Sequence, residues 1–352
     1  MTTQTEAEAP LAVGQDTKAP NTTVGKEAPI RYTPAACVIL ERRSDLRKSL
    51  VYIVAYLMME IGKQLSNFAL SRANDGQYPV PSSLLVLLTE CTKLLIILAW
   101  AMVMNISLLR WSPSLKFCLP AICYFMTNLL YLLALRSVPP PLWMILIQTR
   151  TLYTAAVYTV VFGRELTWVE VVGCLLVVAS IPLARLSELQ GGHLTLTSSV
   201  MLTSQVCAIL STVASVAVEL LLKNDARSFC EQQAWLYLWG SLLGALAISL
   251  HPDLDSLSHL LQENRWSWSM ATLLVLAVAS SALAGLCVPF IVKNLDSIAK
   301  DYLAALNNML LSAVTALLFP LHFTITWLYL LALALLILGI WLYERKVIWR
   351  HP

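Results

Sequence analysis

Ten stretches of this chain are long, apolar and almost uninterrupted, and no other feature limits its fold so strongly. They cover residues 50–70, 82–104, 115–135, 142–162, 168–186, 196–222, 234–250, 269–292, 297–319 and 327–343, bounded by polar clusters, Pro and Gly. A helix needs about 20 mostly apolar residues to cross a hydrocarbon layer about 30 Å thick, so each stretch predicts one membrane-spanning helix. A β-barrel would show alternating polarity instead. The expected fold is an all-α polytopic membrane protein with ten transmembrane helices embedded in the lipid bilayer. The fourth and ninth stretches carry polar residues inside them.

Composition closes off the alternatives. Of 352 residues, 58% are hydrophobic and 13% charged, against about 45–50% and about 25% in soluble domains. That excludes an ordinary soluble enzyme and a nucleic-acid binder. The net charge of +3 is too small to define a partner. Residues 1–45 are rich in Thr, Ala, Pro and Glu and lack an apolar signal-peptide core, which predicts a disordered cytosolic tail. Residues 46–345 form the expected ten-helix domain, and 346–352 a short cytosolic C-terminal tail.

An even number of spans puts both termini on one side. Arg42, Arg43, Arg47 and Lys48 precede the first span, and Arg345, Lys346 and Arg350 follow the last. Arg110, Lys116, Arg164, Lys223, Arg227 and Lys293 fall in or beside connections on that same side. The longest opposite connection, 251–266, carries Asp253, Asp255 and Glu263 against Arg265. The positive-inside rule therefore places both ends in the cytosol.

A weak internal echo divides the chain. Trp168 and Trp327 open the fifth and tenth spans 159 residues apart, and Ile181 and Ile340 repeat that separation. A five-plus-five duplication, with halves about 46–190 and 191–345, would leave such an echo. Because five is odd, the halves would insert with opposite topology.

Polar residues inside the spans are costly there and so are functional candidates. The first span carries Glu60 and Lys63, the second Glu90 and Lys93, each pair three residues apart on one helix face. Each pair reads either as a structural ion pair or as part of a site. Tyr124, Asn128 and Tyr131 form one stripe on the third span, consistent with interhelical hydrogen bonds or a site. The fourth span follows Pro139-Pro140-Pro141 and holds Gln148, Arg150 and Tyr153. Arg150 has no acid at helical spacing within its span, so it either lines a wet, anion-accepting cavity or pairs with a distant carboxylate. Glu219 and Lys223 end the sixth span. Lys300, Asp301 and Tyr302 open the ninth, with Asn307 and Asn308 deeper. If Lys93, Arg150 and Lys300 share a cavity, cations, amides and rings together suit a solute with phosphates and a flat base. The eight cysteines form no CxxC pair and the histidines lie in loops or the tail, without HExxH. No metal, cofactor or catalytic residue is expected.

Several strings resemble one family. Thr89-Glu90-Cys91-Thr92-Lys93-Leu94 resembles the TE-x-x-K-L segment of nucleotide-sugar transporters in the drug/metabolite superfamily. Pro120 to Tyr124, followed by Asn128-Leu129, is similar to their P-x-x-x-Y-x-x-x-N-N helix. Gln148-Thr149-Arg150 falls where that family has Q-L-K. Ser215 to Lys223 resembles its Y-x-E-x-x-x-K segment, and Val292 to Lys300 its K/R-Y-a-D-N-I-x-K signature. The likeness runs from about Ser71 to Arg345 and is strongest to the CMP/UDP-sugar branch.

The resemblance implies ten helices as an inverted repeat, Golgi residence (or endoplasmic reticulum), and exchange of a cytosolic nucleotide sugar for a lumenal nucleoside monophosphate. It implies substrate contacts from Lys93, Tyr124, Asn128, Arg150 and Lys300, with Glu60, Lys63, Glu90, Gln148, Tyr153, Glu219 and Asn307 in support. It leaves open a homo-oligomer, or a hetero-oligomer with related transporters or glycosyltransferases. There are departures: the family's second Asn is Leu129, its motif Lys is Arg150, its D-x-x-x-Y-Q run is replaced at Pro139-Pro140-Pro141-Leu142-Trp143-Met144, and the Asn of D-N-I is Ser297. The motifs of GDP-sugar transporters are absent. These changes fit a divergent UDP-sugar or CMP-linked transporter, a carrier of another phosphorylated solute, or a transport-silent scaffold of the same fold.

Overall fold

Where the apolar stretches can stay helical, and where they cannot, sets the architecture. The computed structural model describes residues 43–106, 111–162, 167–190, 197–250, 267–294 and 297–345. The predicted tails beyond these limits and the 251–266 connection lie outside the described residues, as do the side chains of Lys223 and Lys300.

Eleven α-helices follow in order among the described residues: α1 (Arg43–Arg72), α2 (Ser82–Val103), α3 (Cys118–Leu135), α4 (Pro140–Ile147), α5 (Arg150–Phe162), α6 (Trp168–Gln190), α7 (Ser198–Asn224), α8 (Phe229–Ser249), α9 (Trp268–Asn294), α10 (Ser297–Leu318) and α11 (Trp327–Arg345). A 3₁₀ turn, Leu115–Phe117, leads into α3. Each predicted stretch coincides with helix, and the fourth with two. Five segments are long and apolar enough to cross a membrane on length and composition alone: Ser82–Val103, Leu115–Leu135, Trp168–Ser187, Ser198–Leu222 and Trp268–Pro289. Leu306–Leu318 and Trp327–Tyr343 are shorter apolar helices. α1 and α10 carry groups that lower their apolarity, Glu60, Lys63 and Gln64 in one and Asn307 and Asn308 in the other.

The division of the fourth stretch has a local mechanism. α4 opens on Pro140 and Pro141 after Pro139, where proline's missing N–H costs nothing and its fixed φ suits the first turn. Its ladder tightens at the far end: Gln148 N donates to Ile145 O at 3.3 Å and Thr151 N to Gln148 O at 3.0 Å. Thr149 Oγ1 donates to Leu146 O at 3.1 Å. From α7, Thr212 Oγ1 donates to Arg150 O at 3.2 Å. These bonds pair the Gln148 and Thr151 N–H groups and the Gln148 and Arg150 carbonyls at the break, the kind of partner irregular chain needs inside a bilayer.

Helices pack in antiparallel pairs: α1 with α9, α2 with α8, α3 with α7, and α6 with α11, while α4 lies against α10. The closest crossing is between α6 and α11. A Cβ on Gly173 would lie 2.6 Å from the Gly339 carbonyl oxygen, and a Cβ on Gly339 would lie 2.7 Å from that of Gly173. Only residues without a Cβ let two backbones approach this closely. α8 starts on an N-cap, Ser228, whose Oγ accepts from Glu231 N at 3.2 Å, while the Glu231 carboxylate accepts from Ser112 N at 3.0 Å. Outward faces are apolar, with Leu95, Val160 and Leu317 exposed. Trp168, Trp268 and Trp327, each the first residue of its helix, are also exposed, the placement of an interfacial aromatic belt.

Candidate functional site

Enclosed by α1 to α5 and α7 to α10 is a cavity of ≈ 180 Å³. One water needs about 10–15 Å³ by that measure, so it holds on the order of ten. Its walls are mixed, with Trp143, Met144 and Ile147 of α4 beside the polar residues of α1, α2 and α3.

Two acid–base pairs occupy this cavity, one from each of the first two helices. Glu60 and Lys63 meet at 3.1 Å, and Glu90 and Lys93 at 2.5 Å. Each ammonium also lies against an aromatic ring from another helix. Lys63 Nζ is 5.1 Å from the Tyr131 centroid and Lys93 Nζ is 5.0 Å from that of Tyr237, within the range of cation–π attraction. The hydroxyls of Tyr131 and Tyr237 are buried with no hydrogen-bond partner among the described residues. The constellation is therefore repeated: acid, base one turn later, and a phenol beneath the base.

Glycines make room for the second pair. A Cβ on Gly240 of α8 would lie 3.1 Å from a Glu90 carboxylate oxygen, and one on Gly285 of α9 would lie 3.0 Å from Lys93 Cδ. Asn128 Nδ2 approaches Glu90 Oε1 at 3.5 Å. Tyr124 shares a side-chain hydrogen bond with Ser215 of α7 and lies within electrostatic reach of Arg150. Arg150 is the first residue of α5, so the positive end of that helix's dipole adds to its guanidinium. An arrangement of three cations, two carboxylates, amides and phenols in one enclosure can hold a polar anion and does not suit an apolar solute.

The structure thus brings Lys93, Tyr124, Asn128 and Arg150 to one cavity, together with Glu60, Lys63 and Glu90. Four expected residues do not line it. Tyr153 donates to Gln205 Oε1 of α7 at 3.1 Å. Glu219 accepts from Tyr158 at 3.1 Å, joining α7 to α5. Gln148 is buried at the α4–α5 break and Asn307 is buried within α10. The Lys300 side chain is outside the described residues. Three residues of the wall, Tyr237, Gly240 and Gly285, are missed by sequence reasoning because they look like packing residues in apolar runs. The available signal was Gly240 and Gly244, four apart on α8, the spacing of close helix contacts.

Comparisons with known proteins bear on the family. A family profile described as nucleotide-sugar transporter matches residues 51–344. The CMP-sialic acid transporter 2 of Oryza sativa subsp. indica is 26% identical over 210 residues, which is 59% of this chain and 58% of that protein. The chain thus spans less than two thirds of that relative's length. The human "Probable UDP-sugar transporter protein SLC35A4" is 26% identical over 273 residues, covering 71% of this chain and 81% of the relative. One solved crystal structure superposes with a TM-score of 0.59 at 18% identity, covering 86% of this chain and 99% of the other, a likeness of fold. The chain belongs to the nucleotide-sugar transporter family.

Proposed function

We propose that this protein exchanges a cytosolic nucleotide sugar, UDP-linked or CMP-linked, for a lumenal nucleoside monophosphate by alternating access. The observation that carries the reading is the enclosure of Lys93 and Arg150 with Tyr124 and Asn128 in one cavity among the helices. Guanidinium and ammonium bind phosphate oxygens, and the ring and amide are placed for the nucleoside. Lys300 is proposed as a third phosphate ligand on the sequence resemblance, its side chain lying outside the described residues. No covalent chemistry is involved.

Alternating access in this fold rests on ten spans arranged as two inverted halves, 46–190 and 191–345, with α4 and α5 sharing the fourth span. The packing supports that arrangement. Exchanging each span with the one five later turns the α1–α9 pair into the α7–α3 pair, and returns α2–α8, α6–α11 and α4–α10 to themselves. A pseudo-two-fold axis would produce such a pattern. The proposed setting is the Golgi membrane, or the endoplasmic reticulum, with both termini cytosolic, which glycosylation mapping tests: modification at Asn21 in cells contradicts it.

The departures at Leu129 and Pro139–Pro141 motivate a transport-silent scaffold as the second reading. Leu129 packs with the hydrophobic core and is not part of the cavity wall, whereas Asn128 is. The loss of the second Asn therefore removes nothing from the site. Thermal stabilisation of the purified protein separates the two readings. The transporter reading expects a concentration-dependent rise in Tm with at least one nucleotide sugar and its monophosphate. A panel that shifts nothing favours the scaffold.

A further inference from the structure

The two acid–base pairs share a pattern but not a chemistry. Around Lys93 the α8 and α9 backbones come close at Gly240 and Gly285, and the side chain is 7% exposed. Around Lys63 there is more room, with 21% of the side chain exposed. Tyr124 and Tyr131 are seven residues apart on α3, so the ends they mark are separated by roughly 10 Å at 1.5 Å per residue. That is enough to place two different parts of one ligand.

At the Glu60 end the balance of donors and acceptors is specific. Glu60 accepts from Lys63 at 3.1 and 3.4 Å and from Gln64 Nε2 at 3.3 Å. An ionised carboxylate has about four acceptor sites, so capacity remains for hydroxyl donors. Beside it Tyr131 lines the cavity, and its buried hydroxyl has no hydrogen-bond partner among the described residues. Lys63 directs its charge at Glu60 and at the face of Tyr131. The pair has no net charge. An incoming carboxylate would meet Glu60 at close range while the neighbouring ammonium is already neutralised, and like charges at that separation repel.

The geometry points to Glu60, Lys63 and Tyr131 as the sugar subsite, accepting an uncharged, hydroxyl-rich sugar rather than one bearing a carboxylate. Sugar hydroxyls donate to Glu60 and exchange hydrogen bonds with the Tyr131 phenol, while Arg150, the cavity cation outside the two acid–base pairs, carries the phosphate charge with Lys93 bordering it. This deepens the transport reading and rests on it. It separates UDP-hexoses from CMP-sialic acid, whose sugar is an acid.

The test measures binding to the purified full-length protein of UMP, CMP, UDP-glucose, UDP-galactose, UDP-glucuronate and CMP-sialic acid. In the wild type at least one UDP-hexose is expected to bind tenfold or more tightly than UDP-glucuronate and CMP-sialic acid. Glu60→Gln is expected to weaken the UDP-hexose about tenfold and UMP less than twofold, since charge-assisted hydrogen bonds lost at the sugar leave the nucleotide contacts alone. Retained UMP affinity also reports that the variant is folded. Equal or tighter binding of the carboxylated sugars overturns the proposal. So does a Glu60→Gln variant that weakens UMP and UDP-hexose alike, or neither. Wild-type protein that binds no nucleotide at all removes the transport reading and this subsite together.

Discussion

Lys93 on α2 holds its ammonium 5.0 Å from the centroid of the Tyr237 ring on α8. The contact joins α2 to α8 at the wall of the cavity. The same relationship between Lys63 and Tyr131 joins α1 to α3. Each ion pair is thus tied to a second helix through an aromatic face.

Tyr237 separates ring from hydroxyl. Tyr237→Phe keeps the face under Lys93 and deletes a hydroxyl without a hydrogen-bond partner among the described residues, so stability should change by less than about 1 kcal/mol. Tyr237→Ala empties a buried position and should cost about 3–5 kcal/mol. Thermal unfolding of the two purified variants checks the contrast.

The Glu90–Lys93 pair is 5% and 7% exposed, and its two halves are not independent. Lys93→Ala leaves Glu90 charged and buried, a change that costs about 3–5 kcal/mol. Adding Glu90→Ala should recover part of that loss, so the double variant melts above the single one. Additive losses would show that the pair is not coupled.

Gly173 and Gly339 set the closest helix crossing. Gly173→Ala places a Cβ 2.6 Å from the Gly339 carbonyl oxygen, so backbone must move, at about 1–3 kcal/mol. Gly62→Ala meets only Ser280 Cβ at 3.8 Å and should be tolerated. Melting temperatures of the two variants, measured side by side, should differ by several degrees, with Gly173→Ala lower.

Much of this was legible in the chain, for reasons that can be named. Trp168 and Trp327 mark the first residues of α6 and α11 because an aromatic ring at the bilayer interface ends a polar connection and begins an apolar run. Glu60, Lys63, Glu90, Lys93 and Arg150 stood out because an ionisable group in an apolar span is expensive unless it faces a cavity or a partner. The α4–α5 break was not legible, since neither Gln148 nor Thr149 breaks helices by itself. What holds it open is tertiary, including the Thr212 hydroxyl donated to the Arg150 carbonyl. Glu219, Tyr153 and Asn307, read from the sequence as supporting residues, do not line the cavity, and the first two join α5 to α7. Sequence spacing reports position along a helix, and only packing reports which neighbour that position meets: Tyr158 for Glu219 and Gln205 for Tyr153.

The most direct measurement is counterflow in proteoliposomes loaded with nucleoside monophosphate and presented with labelled nucleotide sugars, using wild type and Arg150→Ala. The wild type should accumulate at least one nucleotide sugar well above empty liposomes. Arg150→Ala should fall to the empty-liposome level while purifying as a folded, monodisperse protein with unchanged helix content. Exchange by Arg150→Ala at the wild-type rate would contradict the placement of phosphate at Arg150, and with it the account of the cavity.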